Sequence, residues 1–310
     1  MSSAAEVIEQ APEAEVNRFA LWRRQIAGIL RLEVKKNFLG KRAFLVYLLA
    51  LLPVILIFLL ALVGTLGNST TTITDAHGHI VSQTSTVRTG PLQDSSLANL
   101  VFANIFVGLI VRTVLFFGCA WTFMNLFRGE VVDKSLHYYF LAPVRREVLV
   151  AGKYISGLLS SLVLFEGTTI LSILFVLYGR GYAEAVRYLF DGPGLGQAGA
   201  YVGITALAII GYGAVFLLIG LLFRNPVIPA ILFYGWEWLN FLLPPMLKKI
   251  SVIHYLESLT PFPISGGPFA IPVEPTPAWL SIPGLFVFTA IVLFVSSLQI
   301  RRMEIRYGSD

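Results

Sequence analysis

The sequence predicts an all-α integral membrane protein with six transmembrane helices, and three observations carry that expectation. Hydrophobic residues make up 56% of the 310-residue chain and charged residues only 13%, far below the charge of a soluble domain. Six apolar runs recur along it, most of them near the ~20 residues that a helix needs to cross a hydrocarbon core. Lys and Arg gather on alternate connections between those runs, as the positive-inside rule requires of a multi-pass protein.

Residues 1–17 are small, polar and acidic and read as a disordered cytoplasmic tail. A secretory signal would place basic residues and a short apolar run there, so no cleavage is expected. Residues 18–42 read as an amphipathic helix. Trp22, Ile26, Ile29, Leu30, Val34 and Phe38 recur at three- and four-residue steps while Arg24, Arg31 and Lys35 line another face. Such a helix lies in the membrane interface with its basic side towards headgroups; the alternative is a soluble helix packed on a partner.

The membrane domain covers 43–300. Its expected spans are 43–67 with Pro53 inside, 97–127 interrupted by Arg112, 154–178 with Glu166, 201–223, the short 227–243 with Glu237, and 283–300. Outer loops fall at 68–96, 179–200 and 244–282, an inner loop at 128–153, and a cytoplasmic tail at 301–310. In this orientation the inner segments hold Arg18, Arg23, Arg24, Arg31, Lys35, Lys36, Lys41, Arg42, Arg128, Lys134, Arg145, Arg146, Lys153, Arg224, Arg301, Arg302 and Arg306. The outer ones hold Arg88, Arg180, Arg187, Lys248 and Lys249. Both termini are therefore expected in the cytoplasm. In the first outer loop 70–74 and 79–87 pair as strands around 75–78. The last begins with Pro244-Pro245, continues as a helical pattern in Met246, Ile250, Ile253, Leu256 and Leu259, and breaks into proline-rich coil. It reads as a short outer helix dipping partly back into the bilayer, either shielded by protein or lining a wet cavity.

Several function classes are excluded or weakened. The net charge of +5 sits beside the apolar runs, which suits anionic lipid, and there is no basic stripe with interleaved aromatics for nucleic acid. Cys119, the single cysteine, admits no disulfide framework and reads as packing. Asp75, His77 and His79 form a compact group that reads as a solvated turn or a surface metal site. Asn68-Ser69-Thr70 matches a glycosylation sequon. No Ser-His-Asp or Cys-His set presents a nucleophile, and nothing marks His137 as a base.

The inner loop is the most informative stretch. It reads Arg128-Gly129-Glu130, Lys134-Ser135-Leu136, Tyr139-Phe140, Ala142-Pro143-Val144-Arg145-Arg146 and Gly152-Lys153. An acid opens a short amphipathic helix, Pro143 stops it, and basic residues anchor the return to the membrane. At these residues the chain resembles the type-2 ATP-binding-cassette (ABC) transporter permease family. Members carry a Glu, a Thr-Leu or Ser-Leu pair, a Pro with a following Arg, and Gly-Lys at the start of the third span. Tyr139-Phe140 stands where members usually have two leucines, a more aromatic docking surface.

The resemblance covers essentially the whole chain after the tail. It implies that Glu130, Ser135, Leu136, Tyr139, Phe140, Pro143, Arg145 and Arg146 form a cytoplasmic coupling helix docked on a separate ATPase subunit, which binds the ATP and Mg. It further implies a second permease copy or paralogue, a bacterial inner-membrane location, and export in preference to import. No cofactor and no catalysis are expected in this chain. The one Gly-Lys pair, Gly152-Lys153, has Glu147 where a phosphate loop needs its first Gly.

Arg112, Glu166 and Glu237 stand at similar depth within spans, where ionisable groups pair or face a cavity. Arg112 is expected to pair with Glu166 or Glu237, either beside a translocation route or as a structural pair that sets helix register. Tyr234, Trp236 and Trp238 read as interfacial anchors or as a stacking surface for substrate. Two other classes compete: a gradient-driven ion carrier or channel using these three charges as a relay, and an intramembrane lipid-modifying enzyme, which needs acids and histidines converging near one interface.

Overall fold

A computed structural model describes residues 18–40, 43–66, 68–70, 73–74, 80–81, 86–88, 92, 95–132, 145–262, 264, 271 and 274–302. The chain opens with α1 (Arg18–Leu39) and α2 (Ala43–Leu66). Two small antiparallel ladders follow, β1 (Asn68–Thr70) with β4 (Thr86–Arg88) and β2 (Ile73–Thr74) with β3 (Ile80–Val81). The ladder Thr74–Ile80 brackets the turn expected at 75–78, and the outer pair extends it. Next come α3 (Ser95–Ile105), a π-helical stretch (Phe106–Leu115) and α4 (Phe116–Val132), end to end. Then follow α5 (Arg146–Arg180), α6 (Tyr182–Val186), a π turn (Arg187–Asp191), α7 (Gly194–Leu222) and α8 (Val227–Trp238) with a 3-10 turn (Leu239–Leu242). The chain closes with α9 (Pro245–Lys248), α10 (Val252–Ser258) and α11 (Ala278–Arg302).

Among the described residues five helices are long and apolar enough to cross a bilayer: Ala43–Val63, Ser96–Gly129, Arg146–Arg180, Gly194–Leu222 and Ala278–Arg301. They fall on five of the six expected spans. The remaining one, Val227–Leu242, is shorter. Its α-helical part holds 12 residues, ~18 Å at ~1.5 Å per residue, against a core of ~30 Å. The expected outer loop 179–200 is largely helical, because α5 runs on to Arg180. Gly181 ends α5 at φ 86°, a backbone that lacks a Cβ penalty only for glycine.

α5 and α7 form the middle of the bundle: α5 packs on α1, α2 and α7, and α7 on α4 and α11. The crossings are close where glycine faces a bulky neighbour. A Cβ at Gly213 would stand 2.6 Å from Phe123, and one at Gly220 would stand 2.9 Å from the Met124 backbone; small residues let membrane helices approach in this way. The π stretch buries Phe106, Val107, Ile110, Val111, Val114 and Leu115, and Phe116 stacks edgewise on Tyr212 and Phe216. Outside this core the apolar side chains point outward. Phe44, Leu48, Leu51, Ile55 and Leu59 on α2, and Phe286, Val287, Ile291 and Phe294 on α11, are exposed. In water such stripes would drive association; on helices of this length they suit lipid.

Candidate functional site

Two polar loci organise the bundle, one where α1 meets α5 and one where α10 meets the π stretch. The first joins α1, α4 and α5. Lys153 is completely buried, and its ammonium donates to Glu33 Oε1 at 2.6 Å and to the Leu126 carbonyl at 2.8 Å. It also stands 5.3 Å from the centre of the Phe127 ring. Gly152, beside it, lets α1 in close: a Cβ there would meet Ile29 at 3.1 Å. The Gly-Lys pair of the inner-loop motif thus seats α1 on α5. Among the described side chains of α1, Ile29 and Glu33, one helical turn apart, are the buried ones, whereas Arg23, Arg24, Arg31 and Lys35 are exposed.

Next to this pair, Arg146 donates to the carbonyls of Ile300 at 3.2 Å and Arg301 at 2.9 Å. Arg301 in turn pairs with Glu147. The Arg145 guanidinium stands 5.6 Å over the Trp22 ring. The start of α5, the end of α11 and α1 therefore meet at one end of the molecule, flanking the inner loop. Of the coupling residues implied by the resemblance, Ser135, Leu136, Tyr139, Phe140 and Pro143 lie outside the described residues. Glu130 is described only as helical backbone. Asp75, His77, His79 and His137 also lie outside.

The second locus clamps α10 against the bundle. Glu237, 3% exposed, accepts the backbone N–H of Val252 at 3.0 Å and of Ile253 at 2.8 Å, and the Tyr212 hydroxyl at 3.0 Å. The first N–H groups of a helix have no intrahelical partner, and a carboxyl side chain at that end satisfies them. Ser251, the N-cap, accepts from the His254 N–H at 3.4 Å. One turn further on, Glu257 takes Arg112: Nη2 donates to Oε1 at 2.5 Å and Nε to the same oxygen at 3.1 Å.

The expected pairing of Arg112 with Glu166 or Glu237 is therefore corrected. Its partner is Glu257, 145 residues away, because α10 folds back to the level of the π stretch. Glu237 works as the cap of that helix. Glu166 stands apart, both carboxyl oxygens buried without a hydrogen-bond partner. Arg112 lies in the π stretch, where the Thr113 hydroxyl donates to the Gly108 carbonyl at 3.2 Å; π-helical segments frequently mark functional sites.

Other described residues between α8 and α11 are knitted to this clamp. Asn240 Nδ2 donates to Ser251 Oγ at 2.7 Å, Lys248 to the Ile271 carbonyl at 2.6 Å, and His254 Nε2 bonds Thr276 Oγ1 at 3.1 Å. Tyr234 packs on Phe116 and Phe117 at 5.1 and 4.7 Å, while Trp238 is exposed.

Sequence reasoning missed the partners of Lys153 and Arg112. The signal was present, since Glu33 follows the buried Ile29 by four residues and Glu257 follows Ile253 by four. In each case an acid stands on the apolar stripe of a helix. Among the described residues no group of three or more His, Cys, Asp or Glu side chains is placed to hold a metal ion. No protein-family model, curated protein or solved structure matches the chain.

Proposed function

We propose that this chain is the membrane-spanning permease subunit of a type-2 ABC transporter, working with a separate ATPase and a second permease copy or paralogue. The observation that supports this most is the fastening at the inner end. The loop that carries the motif leaves from α4 and returns into α5, and the buried Lys153–Glu33 pair ties both helices to α1. A push on that loop would move α1, α4 and α5 together, which is what a coupling element must do. α1 would be the interfacial helix of the same docking face, and the loop 128–153 would hold the coupling helix.

Six crossings with both ends on one face would account for the same contacts, and the Lys and Arg asymmetry of the connections supports a cytoplasmic face. Arg146 and Glu147 put the end of α11 beside the start of α5, and Lys153 puts α1 there too. Five full spans between these points would leave the ends on opposite faces. The stretch from 223 to 277 then makes the remaining crossing in broken form, through α8, its 3-10 turn and the clamped α10. Export remains the favoured direction on the resemblance, with ATP and Mg bound by the partner.

Cross-linking tests this reading. With Cys119 replaced by Ala, a cysteine at Ser135 or Tyr139 should cross-link to a nucleotide-binding protein in native membranes, with a yield that changes on adding ATP. Cross-links confined to lipid or to the chain itself would count against it. One observation favours a second reading. The orphaned carboxyl of Glu166, ~20 Å along α5 from Lys153, is the group that a gradient-driven carrier would use. Uptake that follows a pH gradient without ATP, and is lost in Glu166→Gln, would replace the first reading by that one.

A further inference from the structure

At the opposite end of α5 from Lys153, the helix finishes on Arg180, which is 7% exposed. Arg180 Nη2 donates to Asn99 Oδ1 at 2.5 Å, and the guanidinium lies 4.1 Å over the Tyr188 ring. Its Nε and Nη1 are buried with no hydrogen-bond partner, and the hydroxyl of Tyr201, 3% exposed, is orphaned in the same way. Both residues line one cavity of about 20 Å³, walled further by Phe102, Val176 and Leu177.

The acceptors around it are already engaged. Asn99 Oδ1 takes Arg180, and the single proton of the Tyr188 hydroxyl is shared between Asn99 Oδ1, at 3.2 Å, and Gln197 Oε1. Glu184, the acid on neighbouring α6, is exposed and pairs with Arg187 at 3.7 Å. The cavity therefore offers three unmatched donors and a buried positive charge. Buried donors without acceptors are costly, and a buried charge without compensation is costlier. A water molecule would accept from two donors, but it brings no negative charge and needs acceptors for its own hydrogens.

We propose that this cavity holds a single halide-class anion, chloride in ordinary media, bound by Arg180 Nε and Nη1 and the Tyr201 hydroxyl. The volume is close to that of one solvent-sized sphere, which suits a monatomic anion better than sulfate, phosphate or a carboxylate. The ion neutralises Arg180 and fastens the outer ends of α3, α5 and α7, which contribute Asn99, Arg180 and Tyr201. This site stands independently of the permease reading.

Thermal unfolding of the purified full chain in mild detergent tests it, in sodium chloride, bromide or gluconate at equal ionic strength. A ligand bound to the folded state raises the midpoint in a concentration-dependent manner. Chloride and bromide should raise it saturably, and gluconate should not. Tyr201→Phe, which keeps the ring, should raise the half-saturating chloride concentration on the order of tenfold. Arg180→Gln should abolish the dependence; if that variant fails to fold, Tyr201→Phe still decides. Tyr178→Phe, on an exposed side chain of the same helix, should leave the response unchanged. Equal midpoints in chloride and gluconate, the result of a water-filled cavity, would overturn the proposal. So would a chloride response that Tyr201→Phe does not alter.

Discussion

Removing the Glu237 carboxyl should release α10 from the bundle. In Glu237→Ala the N–H groups of Val252 and Ile253 lose their acceptor, and the fully buried Tyr212 hydroxyl loses its partner. Each orphaned buried group costs about 1–3 kcal/mol. Three of them, partly relieved by water entering the space, give a loss of about 3–5 kcal/mol, a large share of the ~5–15 kcal/mol that holds a typical fold. Glu237→Gln keeps one carbonyl acceptor but turns an amide donor towards N–H groups, for a loss of about 2 kcal/mol. Tyr212→Phe removes one bond of the three and should cost about 1 kcal/mol. Unfolding midpoints of the three purified variants give the ranking, and hydrogen exchange at Val252 and Ile253 localises it. A midpoint for Glu237→Ala no lower than that for Tyr212→Phe would refute the view that this carboxyl anchors α10.

Other outcomes follow from the same contacts. Lys153→Ala takes from the buried Glu33 the ammonium that neutralises it and should destabilise by about 3–5 kcal/mol, whereas the double replacement Glu33→Leu with Lys153→Met should recover most of that; unfolding curves of the single and double variants measure it. Gly220→Ala drives a Cβ to 2.9 Å from the Met124 backbone, where no rotamer gives relief, and should cost about 1–3 kcal/mol by the same assay.

The sequence made the five long spans legible because a bilayer demands length and apolarity together, and both survive in composition without knowledge of neighbours. The hairpin at 74–80 was legible for a similar local reason, its turn residues lying between β-prone segments. The clamp on α10 was not. Arg112, Glu166 and Glu237 share a depth in the sequence reading, which made them look like partners, yet which charges meet depends on the fold-back of 244–260, whose helical periodicity gives no direction for its return to the bundle. Glu237 looked like an intramembrane charge in search of a counter-ion, when its partners are main-chain N–H groups that no side-chain pattern reveals. The orphaned donors of Arg180 and Tyr201 were equally invisible, since they are brought together by the crossing of α5 and α7 and by nothing local. Lys153 was legible as a motif residue, but its role in seating α1 needed the position of Glu33.

The claim that this chain is a permease coupled to an external motor is tested most directly by purifying the tagged full chain from its native cells in gentle detergent and assaying ATPase activity. The account predicts a co-purifying subunit with a phosphate-binding loop, and ATP hydrolysis that falls at least several-fold with Glu130→Ala while the chain itself stays folded. A folded chain that purifies alone from several detergents, with no associated ATPase, would contradict it.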